Sequence, residues 1–390
     1  MSPDRLIEIV VADHSHFGRG AIALLPELIT TNGGSRTFVV TDPGVRGSGV
    51  VDRVLGILAA AGIETGVFAE VEPNPGASTV ERGAAALRTF GTDGTIVVAV
   101  GGGSAMDTAK ALSLRSVNDA RVWELGYDDP GLTPGRPLIA VPTTAGTGAE
   151  TNSFGVITDE AAGRKAYVGH PSLLPVAAIL DPELTVGLPP AATAATGIDA
   201  LTHALESLLS ANPNPFAEAL ALAAIRAIGE WLRRAVTQGT NLEARSAMLM
   251  ASHLAGMGQA SGTGVGLVHA LGHAIGTRGR LAHGLALAVV LPEVLAFYRG
   301  LRDRELALVA VALTAASPAD DAAAAAEAAI VAVRGLCADV GLRPTLDSLG
   351  FDEAGLDQVA DDALADAAIR NSPRLPTRIE ARGILAAVHH

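Results

Sequence analysis

The run Thr95-Ile-Val-Val-Ala-Val100 passes without a break into Gly101-Gly-Gly-Ser104 and on to Lys110. It reads as a buried strand that turns on glycines directly into a helix, a unit that belongs in a parallel sheet covered by helices on both faces. The flanking sequence repeats the alternation. Thr37–Asp42, Glu64–Phe68 and Leu138–Val141 read as strands, Gly49–Ala61 and the stretch around Val80–Phe90 as helices, and Ala178–Asp181 as the last strand. Leu6–Val11 is a shorter apolar run expected to be a first strand, and a hairpin is expected through Asp159–Gly163, just before Lys165. From about Pro189 the strand-like runs stop and Ala/Leu helices continue to the C-terminus, including the alanine-rich Ala319–Ala332. A domain boundary is therefore expected there, with 1–188 as an α/β domain and 189–390 as an all-helical one.

A buried strand, three glycines and a helix N-terminus make a physical recipe for holding phosphate, because backbone N–H groups can approach the anion and the helix dipole favours it. Such turns also arise for steric reasons alone, and this one is neither Gly-x-Gly-x-x-Gly nor a Walker A loop. Asp42 ends the preceding strand and is the kind of acid that accepts from a ribose hydroxyl, or else a turn residue before Pro43-Gly44. Thr143, Thr144 and Thr147, in Pro142-Thr-Thr-Ala-Gly-Thr-Gly148, are hydroxyl donors for a cofactor or ordinary capping residues.

The helical half carries a histidine cluster. His269 and His273 stand at i and i+4, so on one helix both imidazoles leave the same face. Glycines at 276 and 279 are expected to end that helix, and His283 to begin the next, where the N-terminal dipole keeps the ring neutral and able to ligate a metal. Asp199 and His203 repeat the i, i+4 spacing upstream. Any one of these residues alone is more often a satisfied core or surface group than a ligand. Two pairs together read as a centre of oxygen and nitrogen ligands suited to divalent zinc or iron, although spacing does not say which of the five is not a ligand.

Composition narrows the function classes. The net charge of −13 and the lack of a Lys/Arg run argue against a nucleic-acid partner. No apolar stretch reaches the roughly 18 residues of a membrane span, and no signal-peptide pattern stands at the N-terminus. Cys337 is the only cysteine, which fits a reducing cytoplasm. The terminal His389-His390 pair is read as a tag remnant.

These pieces, in this order, resemble the iron-containing (group III) alcohol dehydrogenases: Gly101-Gly-Gly-Ser104 with Asp107 and Lys110, Pro142–Gly148 with Glu150, Gly197-Ile-Asp-Ala-Leu-Thr-His203, and Gly266-Leu-Val-His269 through His273 to His283-Gly284. The resemblance implies a Rossmann-like N-terminal α/β domain, an all-α metal-binding C-terminal domain and an active site in the cleft between them. It implies that Asp199, His203, His269 and His283 hold one Fe2+ or Zn2+, and that His273 relays a proton. It further implies that Asp42, Asn74, Gly102, Gly103, Ser104, Thr143, Thr144, Thr147 and Lys165 contact the dinucleotide, NAD rather than NADP. The expected substrate is a small primary alcohol or its aldehyde, and the expected assembly a homo-oligomer, dimer or higher. Phe154, Arg278 and Arg280 depart from the family pattern. The two arginines, placed in a loop from Gly276 to Ala282, are where an anionic substrate such as an ω-hydroxy acid would be held, if they are not simply solvated. A metal- and NAD-using lyase or cyclase of the dehydroquinate synthase type is the alternative, but its ligand set would include a Glu. A metal-dependent sensor or storage domain is the non-enzymatic alternative.

Overall fold

The computed structural model describes residues 7, 9–11, 14–127, 129–160 and 164–390. It contains two compact units, one of residues 11–144 with 148–188 and one of residues 1–10, 145–147 and 189–390.

The first unit is organised around β4 (Thr95–Gly101), every residue of which is buried. It pairs on one side with β5 (Leu138–Pro142) and on the other with β2 (Arg36–Val40). Adding β3 (Glu64–Phe68), β8 (Ala177–Leu180) and β1 (Ser15–Phe17) gives a six-stranded sheet in the order β1-β8-β5-β4-β2-β3, with all pairings parallel. The inner strands β4, β5 and β8 are buried throughout and have no reason to alternate polar and apolar residues, so they read as nearly continuous apolar runs, unlike the edge strands β1 and β3. On one face Val39, Ile96, Val98, Val100, Ile139 and Val141 pack with residues of α1 (Leu25–Thr31) and α3 (Val50–Ala60). On the other, Phe38 meets Phe90 of α4 (Ala77–Phe90) at a ring distance of 5.7 Å. α5 (Gly103–Arg115) follows β4 through the glycine turn.

The first expected strand is not formed. The described residues between Ile7 and Val11 form no strand, and Leu6 and Glu8 lie outside the described residues. The Val10 N–H donates to Ser261 Oγ at 3.2 Å rather than to a ladder, and the edge strand falls at Ser15–Phe17. A separate antiparallel pair, β6 (Phe154–Asp159) and β7 (Arg164–Gly169), forms the expected hairpin, whose residues 161–163 lie outside the described residues.

The second unit is helical from α6 (Pro190–Leu209) to α14 (Arg378–Ala387). Proline opens α6 and α7 (Pro215–Thr237), where a missing N–H costs nothing. Three glycines let the helices around the site close up. A Cβ on Gly197 of α6 would lie 2.2 Å from Leu232 of α7. One on Gly272 of α9 (Leu267–Gly279) would lie 2.4 Å from Leu287 of α10 (His283–Phe297). One on Gly284 would lie 2.0 Å from the Ala195 carbonyl, so α10 can start against the α6 backbone only because this residue has no side chain. His389, expected as a tag remnant, is buried, with Nε2 3.0 Å from the Phe351 carbonyl. Among the described residues no helix is long and apolar enough to cross a membrane.

Candidate functional site

α6 brings Asp199 and His203 to one face, α9 adds His269 and His273, and α10 begins at His283. Asp199 Oδ1 lies at the middle of this set, 3.3 Å from His203 Nδ1, 3.7 Å from His269 Nε2 and 3.5 Å from His283 Nε2. Neighbouring imidazoles are 4.6 Å (His203 to His269), 5.3 Å (His269 to His283) and 5.4 Å (His273 to His283) apart between centroids. Asp199, His203 and His269 are all buried, and each offers one donor atom within 4.8 Å of the others.

The hydrogen bonds decide which atoms are free. His203 Nδ1 is 2.9 Å from the Asp199 carbonyl, and His269 Nδ1 is 2.6 Å from Glu206 Oε2. Each bond occupies Nδ1 and leaves Nε2, the arrangement by which metal-binding histidines are held in one tautomer. Asp199 Oδ1 and His269 Nε2 are buried without any hydrogen-bond partner. An unpaired buried carboxylate oxygen facing an unpaired imidazole nitrogen is costly, and a divalent cation would satisfy both. The donor set therefore fits a zinc or iron ion.

The charges are tuned to one another. Burial opposes ionisation of Asp199, but His203, His283 and His269 hold its carboxyl well below the ordinary range. Burial brings His203 down to about 4, against the Asp199 charge. Burial acts the same way on His269, yet the Glu206 and Asp199 carboxylates on either side outweigh it and raise the ring to about 9.

His273 stands apart from this set. Its Nδ1 is 2.8 Å from Asp366 Oδ2, and burial holds its pKa below the ordinary value. Neither Glu206 nor Asp366 was singled out from sequence. Glu206 follows Asp199 and His203 at i+7 and i+3 on the same face of α6, a signal that was available. Asp366 lies 93 residues from His273 and gave none. α9 ends at Gly279, the second of the two glycines expected to end it, with Arg280 as the left-handed cap at φ 51°, so the loop expected from Gly276 to Ala282 starts only after Gly279. Arg278 thus lies in the last helical turn rather than in a loop, with Nε 2.6 Å from Asp362 Oδ2 and a second bond to Gln358. Arg280 is exposed.

In the first unit, Gly102 N-caps α5 with no side-chain cap, and a Cβ there would press on Thr144 at 3.1 Å. Gly103 and Ser104 form the first turn of α5, and Thr143 N donates to the Gly101 carbonyl at 3.0 Å. Asp42 serves as a helix cap: Oδ1 accepts from Gly44 and Val45 N–H of the short α2 (Pro43–Gly47), while Oδ2 is turned toward Gly101. Lys165 Nζ donates to Asn74 Oδ1 at 2.8 Å and to Thr158 Oγ1 at 3.2 Å, and Asn74 is left-handed at φ 54°. Thr147 falls with the residues of the helical unit. Lys110 is an interior tie, with Nζ bonded to the carbonyls of Ala149 and Phe154 and to Asn152 Oδ1. Burial brings it to about 8 against Asp107 and Glu150.

Sequence comparison agrees with this geometry. The signature described as iron-containing alcohol dehydrogenase matches residues 12–182, and that of the C-terminal part of the same family matches 193–389. The chain is 38% identical over 356 residues to the 1,3-propanediol dehydrogenase of Klebsiella pneumoniae, covering 90% of each. It is 34% identical to the NAD-dependent methanol dehydrogenase of Bacillus methanolicus, over 93% of this chain and 94% of that one. A solved 1,3-propanediol oxidoreductase superposes with a TM-score of 0.94 at 36% identity, over 98% of this chain and 100% of the other. The chain belongs to the iron-containing alcohol dehydrogenase family. It is an oxidoreductase of that class, and the lyase alternative is not favoured.

Proposed function

We propose that this enzyme interconverts a small primary alcohol and its aldehyde, using NAD and one divalent ion held by Asp199, His203, His269 and His283. The observation that carries the reading is the pair of partnerless buried atoms, Asp199 Oδ1 and His269 Nε2, beside His203 and His283. When bound, the ion supplies Lewis-acid polarisation of the substrate oxygen. A dinucleotide held by the first unit would supply the nicotinamide as hydride acceptor or donor for the carbinol carbon. His273 takes the hydroxyl proton: Asp366 holds its Nδ1–H, which leaves Nε2 as the acceptor, and burial keeps the ring neutral until it is needed.

The glycine turn and Asp42, Asn74, Thr143, Thr144, Thr147 and Lys165 are the proposed dinucleotide contacts. The α5 N-terminus supports a phosphate there. Asp42 Oδ2, spared from capping, supports a preference for NAD, since a carboxylate accepts from a ribose 2′-OH and repels a 2′-phosphate. The B. methanolicus relative is described as NAD-dependent. With Arg278 engaged by Asp362, Arg280 is the arginine left for an anionic substrate group. A cytoplasmic homo-oligomer, dimer or higher, completes the reading. The lone Cys337, buried and pushed up to about 12 by that burial, fits a reducing compartment. A panel of short alcohols, diols and ω-hydroxy acids, run with NAD on iron-reconstituted protein, tests the assignment. NADH formation with primary alcohols is expected, and none with any member would refute it.

A further inference from the structure

The carboxylate of Glu206 makes three hydrogen bonds, all to the beginning of α9. Oε2 accepts from Gly266 N at 2.8 Å and lies 2.6 Å from His269 Nδ1, while Oε1 accepts from Val268 N at 2.6 Å. The residue is buried, and burial alone would favour the neutral acid. His269 and the two backbone N–H groups outweigh it and keep the pKa below the ordinary value. α9 has no side-chain cap of its own, so Glu206 reaches across from α6 to serve as one. Gly266 admits the carboxylate because a Cβ there would stand 3.2 Å from Oε1.

A cap accounts for the two backbone bonds but not for the third. The bond to Nδ1 places that ring's proton on the side away from Asp199, and His269 Nε2 is the nitrogen that faces Asp199 Oδ1 at 3.7 Å with no partner. We propose that Glu206 is a positioning residue that fixes His269 in its metal-binding tautomer and holds α9 in register with α6, the helix that supplies Asp199 and His203. The inference rests on the metal-centre reading above. A carboxylate is required because all three groups it meets are donors. Glutamine has the same size but only one acceptor oxygen. Turned toward Val268, it sets its NH2 against Gly266 N–H and His269 Nδ1, driving the imidazole proton to Nε2 where it blocks ligation. Turned the other way, it sets NH2 against Val268 N–H and loosens the start of α9.

The test is zinc(II) affinity of wild-type and Glu206→Gln protein, by competition with a chromophoric chelator, with melting temperatures of both metal-free proteins measured alongside. Zinc binding weaker by about 10- to 100-fold in the variant is expected. A lowered metal-free melting temperature with unchanged zinc affinity would reduce Glu206 to a helix cap and overturn the proposal. Wild-type protein that binds no zinc would overturn the metal-centre reading itself, a different result from zinc binding that ignores the substitution. Should the variant fail to fold, long-range 1H–15N spectra of metal-free wild type, recorded at a pH where His269 is neutral, decide the matter. His269 must carry its proton on Nδ1, and the Nε2–H tautomer would refute the assignment.

Discussion

At the glycine turn of the first unit, what is offered to a ligand is mostly backbone: the uncapped start of α5, brought within reach because Gly102 has no side chain. At the histidine cluster of the second unit every group offered is a side chain, and three of them are steered by a neighbour: His203 by the Asp199 carbonyl, His269 by Glu206 and His273 by Asp366. The two kinds of site should fail differently. A backbone site tolerates side-chain changes nearby and discriminates weakly, whereas a side-chain cluster collapses when one donor or one steering group is removed.

The sharpest way to break this comparison is at His273. His273→Ala should keep the bound ion and lose about 10²- to 10⁴-fold in turnover, read as metal content and kcat on the same preparation. Metal lost together with rate would make His273 a ligand and redraw the cluster. A smaller effect is expected from Gly284→Ala, which forces a methyl to within 2.0 Å of the Ala195 carbonyl. Pushing α10 off α6 should cost about 1–3 kcal/mol in thermal or denaturant unfolding. Because His283 is the adjacent residue, metal affinity should fall with it; a variant as stable as wild type would contradict the close packing.

The backbone site should respond more gently. Asp42→Gly should narrow the NAD over NADP preference by roughly tenfold, the worth of one charge-assisted hydrogen bond. The lost helix cap should cost only a few tenths of a kcal/mol, since glycine is tolerated there. Equal efficiency with both cofactors in the unmutated enzyme would remove the premise. Smallest of all is Arg280→Ala, expected to raise KM for an ω-hydroxy acid by about twofold to fivefold while leaving a neutral alcohol of the same length unchanged, as an exposed pair implies. No selective change would make Arg280 a solvated charge.

How much was legible in the sequence follows from the same contrast. A strand buried on both faces announces itself as an apolar run, so β4 was found nearly to the residue. The i, i+4 pairs announced the histidine cluster because spacing along one helix converts directly into a shared face. The three-residue edge strand Ser15–Phe17 was missed because its pattern is short and one side of it is unpaired. The loop after α9 was placed to start too early, at Gly276, although the helix continues to Gly279 and the left-handed residue that follows it is Arg280. Asp366 could not be found, since nothing local ties it to a histidine on another helix. Asp42 was read both as a turn residue and as a ribose acceptor, and the turn is what its Oδ1 makes, capping α2 through the Gly44 and Val45 N–H groups.

The central claim is that one divalent ion, held by Asp199 and the three histidines around its Oδ1, is required for hydride transfer. Its most direct test is to strip the protein with a chelator, titrate Fe2+ back anaerobically, and follow bound metal and NADH formation together in wild type, His203→Ala and His269→Ala. The account predicts turnover that rises in step with occupancy and saturates at one ion per chain in wild type, with neither metal nor rate recovered in the two variants. Full metal content and full activity in either variant, or undiminished turnover in the stripped wild type, would contradict it.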